Sequence, residues 1–434
     1  MNKKIVSIFA GLLALGFLAD FVFAGGVDNK QNYSANYAGT VSRNAAIDGT
    51  DIAAYNPAGI MQLENGMHLG LDVQFLSLDY DHHISGKDYE TTSNPIVPAL
   101  FSIYKQDKWA AYGSFTIVGG GGKVEYDEGN IITKTIGNVA AAGAFRPLLP
   151  AGGILHNEFA AAESYDYGFT TGLSYKINDI FSVSGAARYV TTDKTVDIHG
   201  TYLQGGTNTY ILGKYEQEAD GFGGVIGLNI RPNDTFNIAL RYESRVKLDW
   251  ETTIDSATKG TVGEAILIAN KREDGKSYRR DLPAVLAAGF QWNVTPKFSI
   301  SPSYTLYLEK DADWGTQNDR VDNNSYDLAI SLGYAFTENI KGTMGYMYTD
   351  VGMTPDNFSL IEQMSPALDC HTVAVGGSYT FNKRISVTTG LMGSFYQSGD
   401  AGATSLAPGV QRAPAVTYEK TVYTLAINLQ YHFF

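Results

Sequence analysis

The last residues of the chain, 423–434, read YTLAINLQYHFF, and this stretch decides the class of fold. Large apolar side chains occupy every second position: Tyr423, Leu425, Ile427, Leu429, Tyr431 and Phe433. The positions between them are small or polar. A side-chain period of two places the two sets on opposite faces of a β-strand. The sequence therefore predicts that the chain ends in an amphipathic strand.

The same alternation recurs along most of the chain, for example in residues 69–75, 181–189 and 236–242. We predict strands centred near residues 74, 101, 113, 170, 186, 223, 242, 286, 304, 330, 346, 376, 391 and 426. Short breaks between them, such as Asn178-Asp179, alternate with long breaks, such as residues 85–94, 119–164 and 200–212. Short turns at one rim and long loops at the other are typical of bacterial outer-membrane barrels.

The composition excludes several other classes of protein. Charged residues make up 18% of the chain, against about 25% in ordinary soluble proteins, while Gly occurs 47 times. A helical membrane protein is excluded because each span needs ~20 consecutive apolar residues. The net charge of −13 argues against a nucleic-acid partner, and the single Cys370 excludes an intrachain disulfide. No nucleophile elbow or metal-ligand spacing is present in the sequence, so we expect neither an enzyme nor a cofactor.

Closure of the sheet follows from the membrane environment. Backbone N–H and C=O groups cannot remain unpaired in lipid, so a spanning sheet must have no edge. The sequence predicts an all-β membrane protein, a 14-stranded antiparallel up-and-down β-barrel in the outer membrane of a Gram-negative bacterium. The final strand resembles the signal that such barrels present to their assembly machinery, although the alternation is in phase with Phe433 and Phe434 is one residue extra.

The start of the chain predicts two segments that precede the barrel. Lys3 and Lys4, the apolar residues 5–19 and the small-residue site ending at Ala24 indicate a signal peptide, residues 1–24. Residues 25–66 do not alternate and are rich in small and polar side chains. A barrel of this size has a lumen wide enough to need a plug. We therefore expect residues 25–66 to form a hatch inside a barrel of residues 67–434.

The hatch segment resembles that of the FadL/TodX family of outer-membrane transporters for long-chain fatty acids and other hydrophobic compounds. The similar stretches are NAAID at residues 44–48 and DIAAYNPAGI at residues 51–60. They contain the hatch-motif residues Asn44, Asp48, Asn56, Pro57 and Gly59. Further similar stretches are residues 241–250, 282–283, 348–356 and 379–383, so that the resemblance covers essentially the whole predicted mature chain.

The resemblance implies a transport mechanism. Long loops would capture a hydrophobic substrate from outside, and a movement of the hatch together with a kinked strand would release it sideways into the membrane. The longest loop carries the capture candidates Phe145, Leu148, Leu149, Ile154 and Leu155. The alternative is a loop that only packs over the mouth of the barrel.

Two further sets of candidates follow from this mechanism. Gly113, Gly119 and Gly120 are candidates for a gap in the barrel wall, with a flexible entry to the loop as the alternative. Arg188 and Arg241 have inward parity and are candidates for binding a carboxylate head group, with pairing to inward acidic residues as an equal alternative. An uncharged hydrocarbon as substrate stays open, as do a general porin, an adhesin or an enzyme on the rim.

Overall fold

The structure is a computed structural model that describes residues 31–145, 148–315, 321–357, 362–382, 384–407 and 410–433. The predicted signal peptide, the first residues of the predicted hatch and Phe434 lie outside these ranges. None of the described helices is long and apolar enough to cross a bilayer.

Fourteen strands of the described chain form one closed antiparallel sheet. They are β1 Gly66–Ile84, β2 Ile96–Gln106, β3 Trp109–Tyr126, β4 Ile154–Lys176, β5 Phe181–Gln204, β6 Thr207–Ile230, β7 Phe236–Glu243, β8 Ala284–Asn293, β9 Phe298–Leu308, β10 Ser325–Ala335, β11 Ile340–Asp350, β12 Cys370–Phe381, β13 Ile385–Tyr396 and β14 Val416–Phe433. Each contains one of the predicted strand centres, so the predicted barrel and its strand count are confirmed.

The ring closes where the first strand meets the last. β1 pairs with β2 on one side and with β14 on the other, in a ladder from Met67–Phe433 to Ile84–Val416. The seam also binds the segment that the sequence predicts to be the hatch, because Asp72 lies on the inner face of β1. Its Oδ2 accepts a hydrogen bond of 2.7 Å from Asn428 on β14, and its Oδ1 accepts one of 2.7 Å from the backbone N–H of Ala35.

The two faces of the sheet have opposite polarity. Large exposed side chains on the outer face include Phe75, Leu173, Phe222, Ile226, Leu240, Leu328, Val375, Leu391, Leu425 and Ile427. Buried polar side chains on the inner face include Asp72, Gln74, Asn229, Asn237, Arg241, Thr305, Thr372, Ser394 and Asn428. Lipid around the barrel favours apolar side chains on the outer face, and a polar lumen favours polar side chains on the inner face.

Residues 31–65 lie inside the barrel and contain three short helices: α1 Ala35–Ala38, α2 Ile52–Tyr55 and a 3₁₀-helix Pro57–Gln62. Their backbone comes close to the wall at several of its glycines. A β-carbon on Gly345 would lie 2.0 Å from the carbonyl oxygen of Thr40, and one on Gly289 would lie 2.5 Å from the backbone nitrogen of Ala45. Glycines within these strands therefore make room for the segment inside the barrel.

Strands β4, β5 and β6, of 23, 24 and 24 residues, extend well beyond the apolar band. The predicted long break at residues 200–212 is wrong: β5 and β6 continue through it and meet at a tight turn, with Gln204 paired to Thr207. The sequence around Gly200, Thr201 and Asn208 has no alternation of apolar and polar residues, because this part of the sheet does not face lipid. The other long connections carry α3 Ile131–Ala141, α4 Val262–Ala269 and short strands: Lys87–Ser93, Asp249–Ile254, Ser277–Arg279, Gly399–Ala401, Thr404–Ala407 and Val410–Ala413.

Candidate functional site

Two asparagines of the hatch motif bind the hatch to the wall. The side-chain amide of Asn44 donates hydrogen bonds to the carbonyl oxygen of Tyr304 (3.1 Å) and to Thr305 Oγ1 (2.9 Å). Asn56 donates to Asn229 Oδ1 on β6 at 2.8 Å and to the carbonyl oxygen of Ala46 at 2.9 Å. Because both side chains are buried, each hydrogen bond satisfies a group that has lost its water.

Pro57 and Gly59 form the turn that follows Asn56. Asn56 caps the 3₁₀-helix by accepting a hydrogen bond from the backbone N–H of Gly59, and a β-carbon on Gly59 would lie 2.4 Å from Asn56 Nδ2. The carbonyl oxygen of Pro57 accepts a hydrogen bond of 2.6 Å from Ser174 on β4. This end of the hatch is thus held through its backbone as well as its side chains.

Asp48 belongs to a partly exposed ion-pair chain between the hatch and the wall. It lies 2.8 Å from Arg43 and 2.9 Å from Lys341 on β11, and 55% of its side chain is exposed. Arg43 also lies 2.7 Å from the buried Asp51. The Lys341 ammonium, opposed by burial and assisted by Arg43, holds the pKa of Asp48 well below its usual range.

The barrel wall is interrupted between β2 and β3. Their ladder runs from Gln106–Trp109 to Leu100–Phe115 and goes no further in the described chain. Above it, β2 continues to pair with β1, and β3 continues to pair with β4. A hydrogen bond of 2.7 Å from Ser93 Oγ to the carbonyl oxygen of Lys123 spans the upper edge of the interruption. We call this interruption, between residues 96–99 and 116–122, the wall opening.

Two bulges bend β3 at the wall opening. The register of β3 against β4 shifts between Ile117 and Gly119 and again between Gly120 and Gly122. Gly120 has a φ of 62°, in the left-handed region that glycine adopts without strain. Two of the gap candidates, Gly119 and Gly120, therefore lie at the opening. Gly113 lies below it, in the continuous part of the ladder, paired with Ser102 and Thr171.

A cavity of about 360 Å³ lies behind the wall opening, inside the barrel. Its floor includes Gln31 and Tyr33 of the hatch. Burial raises the pKa of Tyr33 to about 12, so its hydroxyl stays protonated at neutral pH. The wall side chains and loop residues around it include Val118, Val124, Leu248, Trp250, Leu282, Arg280, Trp314, Glu362 and Met364. The cavity is therefore an apolar space with charged groups in its lining.

The two head-group candidates share one acidic partner. Arg188 Nη1 pairs with Glu243, and Arg241 Nε lies 3.1 Å from the same carboxylate. Arg241 also donates a hydrogen bond of 2.5 Å to Gln31 Oε1 of the hatch. Arg188 and Glu243 line the cavity, whereas Arg241 lies beneath it against the hatch. Both arginines thus have the acidic partner that the alternative interpretation of the sequence describes.

Two charged residues of the cavity were not among the sequence candidates. Lys194 on β5 and Asp166 on β4 are 9% and 7% exposed, and both line the cavity. Among the described residues neither side chain has a hydrogen bond or an ion pair, and Asp166 Oδ1 is buried without a hydrogen-bond partner. Their charges interact through space with each other and with Arg280. Inward parity along β4 and β5 could have identified them, but both lie above the apolar band where the alternation weakens.

The capture candidates form part of a separate cluster on the long-loop rim. Leu149 is fully buried, and Phe145 and Leu155 pack against the same cluster, which includes Tyr202 and Ile266. Leu148 and Ile154 project outward and are 54% and 71% exposed. None of the five lines the cavity behind the wall opening. An apolar surface is available at the rim, about Leu148 and Ile154.

A model of one protein family matches residues 164–433, which is more than half of the chain. Its description is "Outer membrane protein transport protein (OMPP1/FadL/TodX)". The chain belongs to this family. FadL/TodX proteins are outer-membrane transporters of hydrophobic compounds, so the short turns face the periplasm and the long loops face outward. No curated protein matches the sequence.

Solved structures of the FadL/TodX family share the fold at low sequence identity. A FadL homologue from Pseudomonas aeruginosa is 14% identical, with a TM-score of 0.70 over 96% of this chain and 100% of the other. The toluene transporter TodX from P. putida is 14% identical, with a TM-score of 0.64 over 93% and 99% of the two chains. The toluene transporter TbuX from Ralstonia pickettii is 14% identical, with a TM-score of 0.60 over 94% and 100%.

Proposed function

We propose that the protein takes up long-chain fatty acids or similar hydrophobic molecules and releases them sideways into the outer membrane. The observation that supports this most is the wall opening together with the cavity behind it. Gly119 and Gly120 belong to both features, so the cavity adjoins the interrupted part of the wall. An apolar molecule that leaves there enters lipid without crossing water. Burial in lipid favours it by ~0.8 kcal/mol per methylene group.

The rest of the path follows the geometry of the chain. The exposed Leu148 and Ile154 would bind the molecule outside, and the cavity would hold it above the hatch. The hatch closes the periplasmic side through hydrogen bonds to the wall, such as those of Asn44 and Asn56. A polar exit downward is therefore less favourable than a sideways exit into lipid. Uptake of an aromatic or aliphatic hydrocarbon by the same path is the second candidate, because TodX and TbuX are named toluene transporters.

The bulges in β3 offer a direct test of sideways release. Val118 and Gly121 are the extra residues between the paired positions 117 and 119 and between 120 and 122. Deleting both residues leaves a regular ladder against β4 and straightens β3. We expect uptake of a radiolabelled fatty acid or hydrocarbon by cells to be lost, because β3 could then pair with β2 and close the opening.

The matched control is Ser114→Ala on the same strand, which keeps the number of residues and hence the bulges and lies outside the lining of the cavity. It should take up substrate at a rate close to that of the wild type. Heat-modifiable mobility on gels reports whether each barrel is assembled. If the double deletion assembles and still takes up substrate at the wild-type rate, sideways release through this opening is wrong.

A further inference from the structure

The charges that line the cavity are mostly neutralised in pairs. Arg188 pairs with Glu243, Arg280 lies 2.8 Å from Glu362, and Asp281 lies 2.5 Å from Arg279. Lys194 and Asp166 differ from these residues, because neither side chain has a hydrogen bond or an ion pair within the described chain, although both are about nine-tenths buried or more. Their charges act on each other and on Arg280 only through space. Leaving a buried charge without a hydrogen bond is costly. Such groups point to a ligand that supplies the missing contacts.

The positions of the two side chains define what that ligand needs. Lys194 is paired with Ser164, and Asp166 is paired with Thr192, so they are diagonal neighbours on adjacent strands. The backbones of diagonal positions lie ~7–8 Å apart, so a single ligand group can reach both side chains. In its ammonium form Lys194 only donates hydrogen bonds, and in its carboxylate form Asp166 only accepts them. A single ligand group that both accepts and donates hydrogen bonds would satisfy the two side chains.

The site lies at the wall opening. A β-carbon on Gly119 would lie 2.2 Å from Asp166 Oδ2, so the glycine at this bulge leaves the space that the carboxylate occupies. Apolar side chains of Val118, Leu248 and Trp250 line the same cavity. A molecule about to leave through the wall would thus have its polar group beside Asp166 and Lys194 and its apolar body against these side chains.

We propose that the cavity selects hydrophobic molecules that carry a neutral hydroxyl group, that is, long-chain alcohols or phenols. The inference rests on the proposed function, because it assigns a substrate class to the same cavity. The hydroxyl oxygen accepts a hydrogen bond from Lys194 Nζ, and its hydrogen is donated to Asp166. A plain hydrocarbon leaves both charges unsatisfied. An ionised fatty acid satisfies Lys194 but places a second negative charge beside Asp166, with Glu163 also in the lining.

The tryptophans of the chain allow binding to be measured inside the cavity. Trp250 and Trp314 line it, whereas Trp109 and Trp292 are exposed on the outer face of the barrel. In a Trp109→Phe/Trp292→Phe protein, fluorescence therefore reports on the cavity alone. The probes are 12-bromododecan-1-ol, 1-bromododecane and 12-bromododecanoate, because bromine quenches tryptophan fluorescence on contact.

We expect the alcohol to quench at a concentration about tenfold lower than the bromoalkane, because hydrogen bonds to charged groups are the strong ones. It should also bind more tightly than the carboxylate. Lys194→Met should remove the preference of the alcohol over the alkane and leave binding of the alkane at least as tight. Asp166→Asn should keep binding of the alcohol and improve that of the carboxylate about tenfold, because the like charge is gone.

The order of affinity of the three probes for the Trp109→Phe/Trp292→Phe protein tests the inference even if a cavity variant fails to assemble. Equal binding of alcohol and alkane, or tightest binding of the carboxylate, overturns the inference and leaves the proposed function intact. If none of the three probes quenches, the cavity is not on the path, and the proposed function itself fails.

Discussion

The contact between hatch and wall differs from the cavity above the hatch. Between the hatch and the wall, buried amides such as Asn44 and Asn56 have hydrogen-bond partners. The cavity above the hatch contains Lys194 and Asp166, whose side chains have no hydrogen bond or ion pair within the described chain. A satisfied interface favours one fixed arrangement, whereas unsatisfied charges favour the binding of something else. We call the hydrogen-bonded contact between hatch and wall the anchor. The difference distinguishes this anchor, which stays in place, from a site at which a ligand binds and leaves.

Glu243 lies at the border between the two regions and should show the largest effect. In Glu243→Gln, the buried guanidinium groups of Arg188 and Arg241 lose their shared counter-charge. We expect the free energy of unfolding to fall by about 3–5 kcal/mol, the usual effect of removing one partner of a buried ion pair. Urea unfolding in detergent measures it. The exposed Glu419→Gln, the same chemical change, should have almost no effect, and equal losses in the two variants would contradict the assignment.

Gly345 tests how tightly the anchor packs. In Gly345→Ala, the new β-carbon would lie 2.0 Å from the carbonyl oxygen of Thr40, so the hatch or the wall must move. Overpacking of this kind destabilises by about 1–3 kcal/mol, and we expect the upper part of that range because the clash is with backbone. Gly377→Ala, whose nearest atom is 3.9 Å away, is the control. A melting temperature for Gly345→Ala equal to that of Gly377→Ala would show that the contact is loose.

Asn56 tests the hydrogen bonds of the anchor. Asn56→Ala removes three hydrogen bonds of this side chain, with the backbone N–H of Gly59, with Asn229 Oδ1 and with the carbonyl oxygen of Ala46. We expect a loss of about 2 kcal/mol in the free energy of unfolding and faster proteolysis of the hatch in the assembled barrel. Asn208→Ala at an exposed position should change neither measurement. Unchanged proteolysis of Asn56→Ala would mean that the anchor does not depend on this residue.

Asp48 should show the smallest effect, because its side chain is more than half exposed. Its pKa is lowered in the folded protein by Lys341, so its contribution is present above the unfolded-state pKa of about 4 and is lost only in stronger acid. The melting temperatures of wild type and Asp48→Asn should therefore differ slightly at pH 7 and converge well below pH 4. Convergence already at pH 6 would rule out this ion pair as the cause. The exposed Asp127→Asn serves as the control.

The sequence was sufficient to predict the barrel because lipid imposes a strict pattern. Leu240 and Leu425 face out and Asn237 and Asn428 face in, so the alternation can be recognised within each spanning strand alone. That pattern ends with the membrane, and residues 200–212 were therefore mistaken for a loop.

The cavity was harder to predict from the sequence for a related reason. The bulges of β3 depend on how many residues of β4 oppose them, and one strand alone does not show this. The pairing of Glu243 with two arginines and the isolation of Lys194 depend on which strands become neighbours. Parity along a strand shows that a side chain points inward, but not what it meets there.

Asp72 connects the end of folding with its beginning. Its two oxygens bind Asn428, 356 positions along the chain, and Ala35 of the hatch. The ring can be sealed only after the last strand has been delivered, and closing so large a loop is entropically costly and slow. A ring that sealed around an empty lumen would bury one oxygen of Asp72 without its donor, and a hatch docked on an open sheet would leave the other unmatched. Because this one carboxylate needs both donors, closure of the barrel and docking of the hatch inside it favour each other.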